Sequence, residues 1–230
     1  MALIRCWVLL ALLSSSAVAQ GNPEATLIGG GVRNRPHYDG SDGQTTDLVP
    51  VLRYSGLPWF ARTTHGILEG GARLSLADGL HAGVQLAHEA GPRDRDPGAS
   101  VGAHLEWTTK VGPAPVNVLA RLRSHLDSDR GRQFDGRLTL GVFEGGGLRG
   151  GVFGQGTWAS EDHLVTYYGL RQSGLLFTSV GALGSYDLSR RWVAVASAEL
   201  RRLADEPAGS AFVQDRTSRY VTAGLAYRFQ

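Results

Sequence analysis

The sequence predicts an all-β chain, a transmembrane antiparallel β-barrel of about twelve strands. Three observations predict it. Apolar and polar residues alternate with period two in segment after segment. The connections between these segments are short and long in turn. Several bulky aromatics fall near the ends of the segments. Successive strand residues point to opposite faces, so the alternation describes a wall with one apolar and one polar face.

The chain has 230 residues, and the first 19 differ from the rest. Arg5 supplies a positive start, "CWVLLALL" an apolar stretch, and "SSSAVA" small residues at Ala17 and Ala19. This is the pattern of a secretory signal peptide, residues 1–19, with the barrel domain over 20–230. Its apolar stretch is too short for a membrane anchor. Cys6 precedes that stretch, so it does not suit a lipid-modified cysteine. It is the one cysteine, so the mature chain has no disulfide to hold it together. Of 23 Lys plus Arg, 22 follow Arg5, against 21 Asp plus Glu. That near balance makes no case for nucleic acid.

Strands are expected near 25–33, 46–55, 58–64, 67–76, 80–90 and 100–111. Six more are expected near 115–125, 132–143, 148–158, 174–186, 191–203 and 217–229. "VGAHLEWTTKV" is the clearest: Val101, Ala103, Leu105, Trp107, Thr109 and Val111 oppose Gly102, His104, Glu106, Thr108 and Lys110. In 116–123, Leu119 breaks the pattern. Short turns fall at 55–58, 77–79, 112–114, 144–147 and 188–191, and long polar stretches at 34–45, 91–99, 126–132, 159–173 and 204–216. Outer-membrane barrels have short periplasmic turns and long external loops. The weak point is 58–76: read as one strand it makes the count eleven, which bacterial barrels avoid. A count of ten follows if another weak segment lies outside the wall.

A soluble sandwich or calyx would bury the apolar face instead. Three features favour lipid. The apolar face carries almost no charge. Trp59, Trp107, Trp158, Tyr186 and Trp192 sit near expected strand ends, as interfacial girdles do. The closing "AGLAYRFQ" resembles the terminal strand of outer-membrane proteins, with Gln230 after the aromatic Phe229. A closed barrel satisfies its backbone between strands, which explains stability without disulfides. The 32 glycines then have a structural reading, relieving crowding in the wall.

"RPHYDGSDG", followed by Pro50 and Tyr54, resembles the MipA/OmpV family of Gram-negative outer-membrane proteins (MltA-interacting proteins). The family's P-x-Y-x-G-S-D block is matched by Pro36, Tyr38, Gly40, Ser41 and Asp42. "TYYGL" and the region 203–229 resemble later family segments, with a departure at Ala208, Gly209 and Ser210, where a more acidic stretch is usual. The resemblance implies an outer-membrane barrel in contact with outer-membrane lipid. It also implies a scaffold role toward a periplasmic murein hydrolase or synthase.

No residue pattern points to catalysis, a cofactor or a metal. In "SHLDSD", Ser124 and His125 are neighbours and point to opposite faces of a strand. The seven histidines form no metal-ligand spacing. "DGSDG" lacks the closing Glu of a calcium loop and reads as a turn. The notable set is the charge expected on the lumen face: Glu69, Arg73, Glu106, Lys110, Arg121, Arg123, Asp135, Arg137, Arg149, Glu199, Arg201 and Arg228. Such charges can pair across strands and fill a narrow barrel. The alternative is a small pore or binding cavity biased toward anions, and the salt-bridged, mostly closed interior is the expectation. The first reading is therefore a non-enzymatic scaffold or interaction protein for murein-remodelling enzymes, and the alternative is a small-solute channel or ligand-binding barrel.

Overall fold

The computed structural model describes residues 25–64, 66–89 and 98–229. The expected signal peptide lies outside them. Twelve strands close into one barrel. They are β1 (Thr26–Pro36), β2 (Gln44–Ser55), β3 (Trp59–Thr64), β4 (Ile67–Ala77), β5 (Leu80–Glu89) and β6 (Gly98–Val111). The second half comprises β7 (Ala114–His125), β8 (Arg132–Gly145), β9 (Leu148–Ala159), β10 (Gly174–Asp187), β11 (Trp192–Leu203) and β12 (Thr217–Phe229). Each pairs antiparallel with its chain neighbours, and β12 closes on β1 from Thr26↔Phe229 to Asn34↔Val221.

Burial is inverted relative to a water-soluble protein. Val84 and Leu86 on β5 are 61% and 63% exposed, while Glu69 and Asp135 are each 1% exposed. Apolar residues face outward and charges inward, which is the arrangement lipid demands. Among the described residues, no helix is long and apolar enough to cross a membrane. Trp59, Trp107, Tyr186, Trp192 and Tyr227 lie on strands near the short-turn end, where Trp192 meets Tyr227 edge-on at 5.4 Å. Phe134 and Trp158 pair at 5.7 Å near the long-loop end.

Segment 58–76 is a hairpin of two strands, joined at Thr64↔Ile67, so the even count holds. Its first strand is short. β3 pairs with β2 only at Arg53↔Arg62, Tyr54↔Ala61 and Ser55↔Phe60. Residues 44–52 of β2 therefore have no partner in β3, and the wall is notched toward the loop end. Leu119, the break in the apolar pattern, pairs with Glu106 and Arg137, lies on the lumen side and is 5% exposed.

The long loops contain helices that period two does not reveal. Helix α1 (Glu161–Tyr168) has Glu161 and Asp162 in its first turn, favourable beside the helix N-terminus. It ends at Gly169, at φ 72°, whose N–H reaches the carbonyls of Leu164 and Val165. Leu164, Tyr167 and Tyr168, spaced at three and four residues, pack with Leu176, Phe177 and Leu203 in a small apolar core over the loop end. A four-residue helix, α2 (Asp205–Ala208), lies in the last loop. Leu27, Val193 and Ala226 form a second apolar cluster, set on β1, β11 and β12 toward their turn ends.

Candidate functional site: a cationic cavity at the loop end

The lumen charges gather in three groups. The largest crosses β3, β4, β7 and β8. Glu69 accepts hydrogen bonds from Arg62 (2.5 Å), Arg121 (2.8 Å) and the Gln85 amide (3.0 Å). Arg121 also meets Asp135 at 3.0 Å, which Arg123 approaches at the same distance and Thr157 at 2.8 Å. Glu106 is held by Arg62 at 2.9 Å and by Asn117 at 2.8 Å. Alternation places these residues on one face, and antiparallel register brings them level: Arg121↔Asp135, Asp135↔Thr157, Arg62↔Glu69.

A polar relay joins this group to α1. Arg123 donates to the side-chain Oε1 of Gln133 at 2.8 Å. The Gln133 amide nitrogen lies 3.0 Å from Nε2 of His163, whose Nδ1 lies 3.0 Å from the Arg130 carbonyl. The neutral tautomer with its proton on Nδ1 satisfies both contacts. The second group sits at the mouth, where Arg201 contacts Glu199 at 2.8 Å and Asp39 at 3.1 Å, and Tyr220 donates to Asp39. The third lies toward the turn end: Asp187 accepts from Arg149 at 2.8 Å and from Arg228.

Of the other residues singled out from the sequence, Arg137 stacks on Phe153 with its guanidinium 4.0 Å from the ring centroid. Gly181 opposes Phe153, and a Cβ there would lie 2.4 Å from the ring. Arg73 has a buried Nε with no hydrogen-bond partner, and Lys110 is exposed near the turn end of β6.

The block 36–42 docks instead of merely turning. Asp39 reaches Arg201 and Tyr220. The Tyr38 hydroxyl donates to the Phe212 carbonyl at 3.0 Å. Gly40, at φ 106°, donates to Ser218 Oγ and accepts from the backbone N–H of Gln214 at 2.7 Å. A Cβ on Gly40 would lie 3.0 Å from Val213, so glycine is required by both angle and space. Ser41 Oγ accepts from the Gly43 N–H, Pro36 is fully buried, and Asp42 is exposed. Asp39 carries the ion pair, although the motif's matched positions skip it.

Above the largest group lies a cavity of about 160 Å³. Six arginines line it: Arg33, Arg35, Arg121, Arg123, Arg130 and Arg201. Tyr38, Tyr168, Phe177 and Tyr220 supply aromatic faces. Among its described lining residues, Asp39 is the one carboxylate. Sequence reasoning missed Arg33, Arg35, Arg62, Arg130 and Asp39. Strand parity could have found Arg33 and Arg62: Arg33 shares a face with Leu27, and Arg62 stands opposite Glu69. Nothing local distinguishes Asp39 from an ordinary turn residue. Among the described residues, no three His, Cys, Asp or Glu side chains are grouped to hold a metal.

The family model described as MltA-interacting protein MipA matches residues 28–229. The chain belongs to the MipA family. The match runs from β1 through β12, so the whole described barrel is the MipA unit. No curated protein matches the chain. Solved structures with a similar fold include a NanC porin, 12% identical, with a TM-score of 0.55 over 89% of this chain and 100% of that one. An outer membrane channel from Pseudomonas putida F1 is 13% identical, with a TM-score of 0.55 over 94% and 100%. At such identity the likeness concerns the fold alone: a MipA chain is an outer-membrane-type barrel.

Proposed function

We propose that this MipA chain is a non-enzymatic outer-membrane barrel that admits a small polar solute into an arginine-lined cavity at its outer end. The observation that carries the reading is the cavity itself, with six arginines and one carboxylate among its described lining. Rings of arginine favour anions in pores. The porin and the channel that share the fold support a transport role. The Arg121–Glu69 pair links β7 to β4 inside the barrel, so any pathway is narrow. Planar-bilayer recording tests the reading. Small, anion-preferring conductance steps are expected. No conductance, together with unchanged solute uptake in a deletion strain, overturns it.

The family description favours a second reading, a scaffold for a murein enzyme. The periplasmic turns are short, so such a partner must grip the rim, the turns or a terminus. Affinity capture from solubilised membranes tests this. Recovery of a murein hydrolase or synthase is expected, and its consistent absence counts against the scaffold.

A further inference from the structure

We propose that Arg33 anchors an oxyanion group, a carboxylate or a phosphate, held in the loop-end cavity. The proposal rests on reading that cavity as a solute site. Arg33 lines it and is 7% exposed. Its Nε is buried with no hydrogen-bond partner, and no carboxylate among the described residues pairs with it. Its guanidinium lies 4.8 Å from the Tyr220 ring centroid, on which Arg201 also sits, at 4.1 Å.

The other five lining arginines are provided for. Arg35 pairs with Asp47, Arg121 with Glu69 and Asp135, and Arg123 with Asp135. Arg130 pairs with Asp127, and Arg201 with Glu199 and Asp39. An arginine stays charged in any protein environment, and an isolated buried charge is strongly unfavourable. A planar oxyanion answers the guanidinium fork with two parallel hydrogen bonds. Tyr38 lines the same cavity and offers an aromatic surface to the apolar side of the ligand. The cavity, about 160 Å³, is below the range for drug-sized molecules, so the ligand is a single sugar acid, an inorganic phosphate or one headgroup.

Gly66 and Ile67, beside the tip of the β3–β4 hairpin, line the same cavity. A Cβ on Gly66 would lie 2.1 Å from an Arg33 nitrogen, so the hairpin tip rests against this side chain. The oxyanion can belong to a free solute or to the headgroup of an outer-leaflet lipid. The chemistry recognised is the same.

Calorimetric titration of the whole barrel tests the proposal, in phosphatidylcholine nanodiscs at low salt. The probes are inorganic phosphate, glucuronate and, as an uncharged control, glucose. Saturable binding of phosphate or glucuronate, but not glucose, is expected. Arg33→Gln should weaken it roughly 10- to 100-fold, with partial recovery in Arg33→Lys. Repeating the titration in phosphatidylglycerol nanodiscs identifies the source. Loss of the signal there means that a lipid headgroup already fills the site, and retention means a free solute. Either result supports the oxyanion site. The proposal is overturned if neither anion binds the wild type in phosphatidylcholine. It also falls if Arg33→Gln, migrating as a folded barrel on an unboiled gel, binds like the wild type. If that variant does not fold, the wild-type titration against glucose decides. Anion binding without conductance would sink the channel reading and leave this site standing, and conductance without binding would do the reverse.

Discussion

Glu69 is the residue on which most of the interior depends. It is 1% exposed and accepts from Arg62, Arg121 and Gln85. Glu69→Gln leaves Arg62 with Glu106 alone and Arg121 with Asp135 alone, so the buried group of Arg62, Arg121 and Arg123 is one negative charge short. Breaking a buried pair in this way typically costs ~3–5 kcal/mol. Urea unfolding in lipid vesicles should show a loss of that order. Asp47→Asn removes the partner of Arg35, but those side chains are 36% and 17% exposed. Solvent screens that pair, and a loss below ~1 kcal/mol is expected in the same assay. Gly40→Ala addresses the docked block. Strained backbone of this kind costs ~1–3 kcal/mol, and the added Cβ crowds Val213. Faster proteolysis of the 37–43 loop on intact cells, with the barrel still folded, is the expected readout.

At the scale of strands, the apolar face must stay apolar most strictly at mid-depth. Val84 lies at the middle of β5 and is 61% exposed, whereas Val111 is the last residue of β6. Val84→Arg should cost ~2–4 kcal/mol and Val111→Arg only ~0–1 kcal/mol, measured as refolding equilibria in vesicles. All the strands were legible in the sequence because each is amphipathic by itself, and alternation survives without knowledge of its neighbours. Their ends were read up to three residues short: β1 runs to Pro36 and β2 begins at Gln44, where the outgoing faces are polar on both sides. Period two does not reveal helix α1, whose Leu164, Tyr167 and Tyr168 follow a helical spacing inside the long polar stretch 159–173. The cavity was legible only as a list of inward charges. Which arginine lacks a partner depends on register and loop docking: Asp39, from outside the wall, adds a second carboxylate to Arg201 beside Glu199.

The whole molecule is a closed barrel whose first and last strands are neighbours. Folded MipA barrels should therefore migrate differently before and after boiling on a denaturing gel, and a water-soluble sandwich would be missing from outer-membrane fractions. Either a single migration state or recovery in the soluble fraction would contradict the burial pattern. The seam between β1 and β12 brings together residues about as far apart in the chain as it permits. Across its outer end, Tyr38, Asp39 and Gly40 hold Phe212, Tyr220, Gln214 and Ser218. The block that marks the family is thus a clasp over the last joint to be made. During assembly it can fasten only after β12 has arrived, so its contacts reward completion and no earlier intermediate. A chain stalled one strand short would lose the seam together with the clasp contacts to Ser218 and Tyr220.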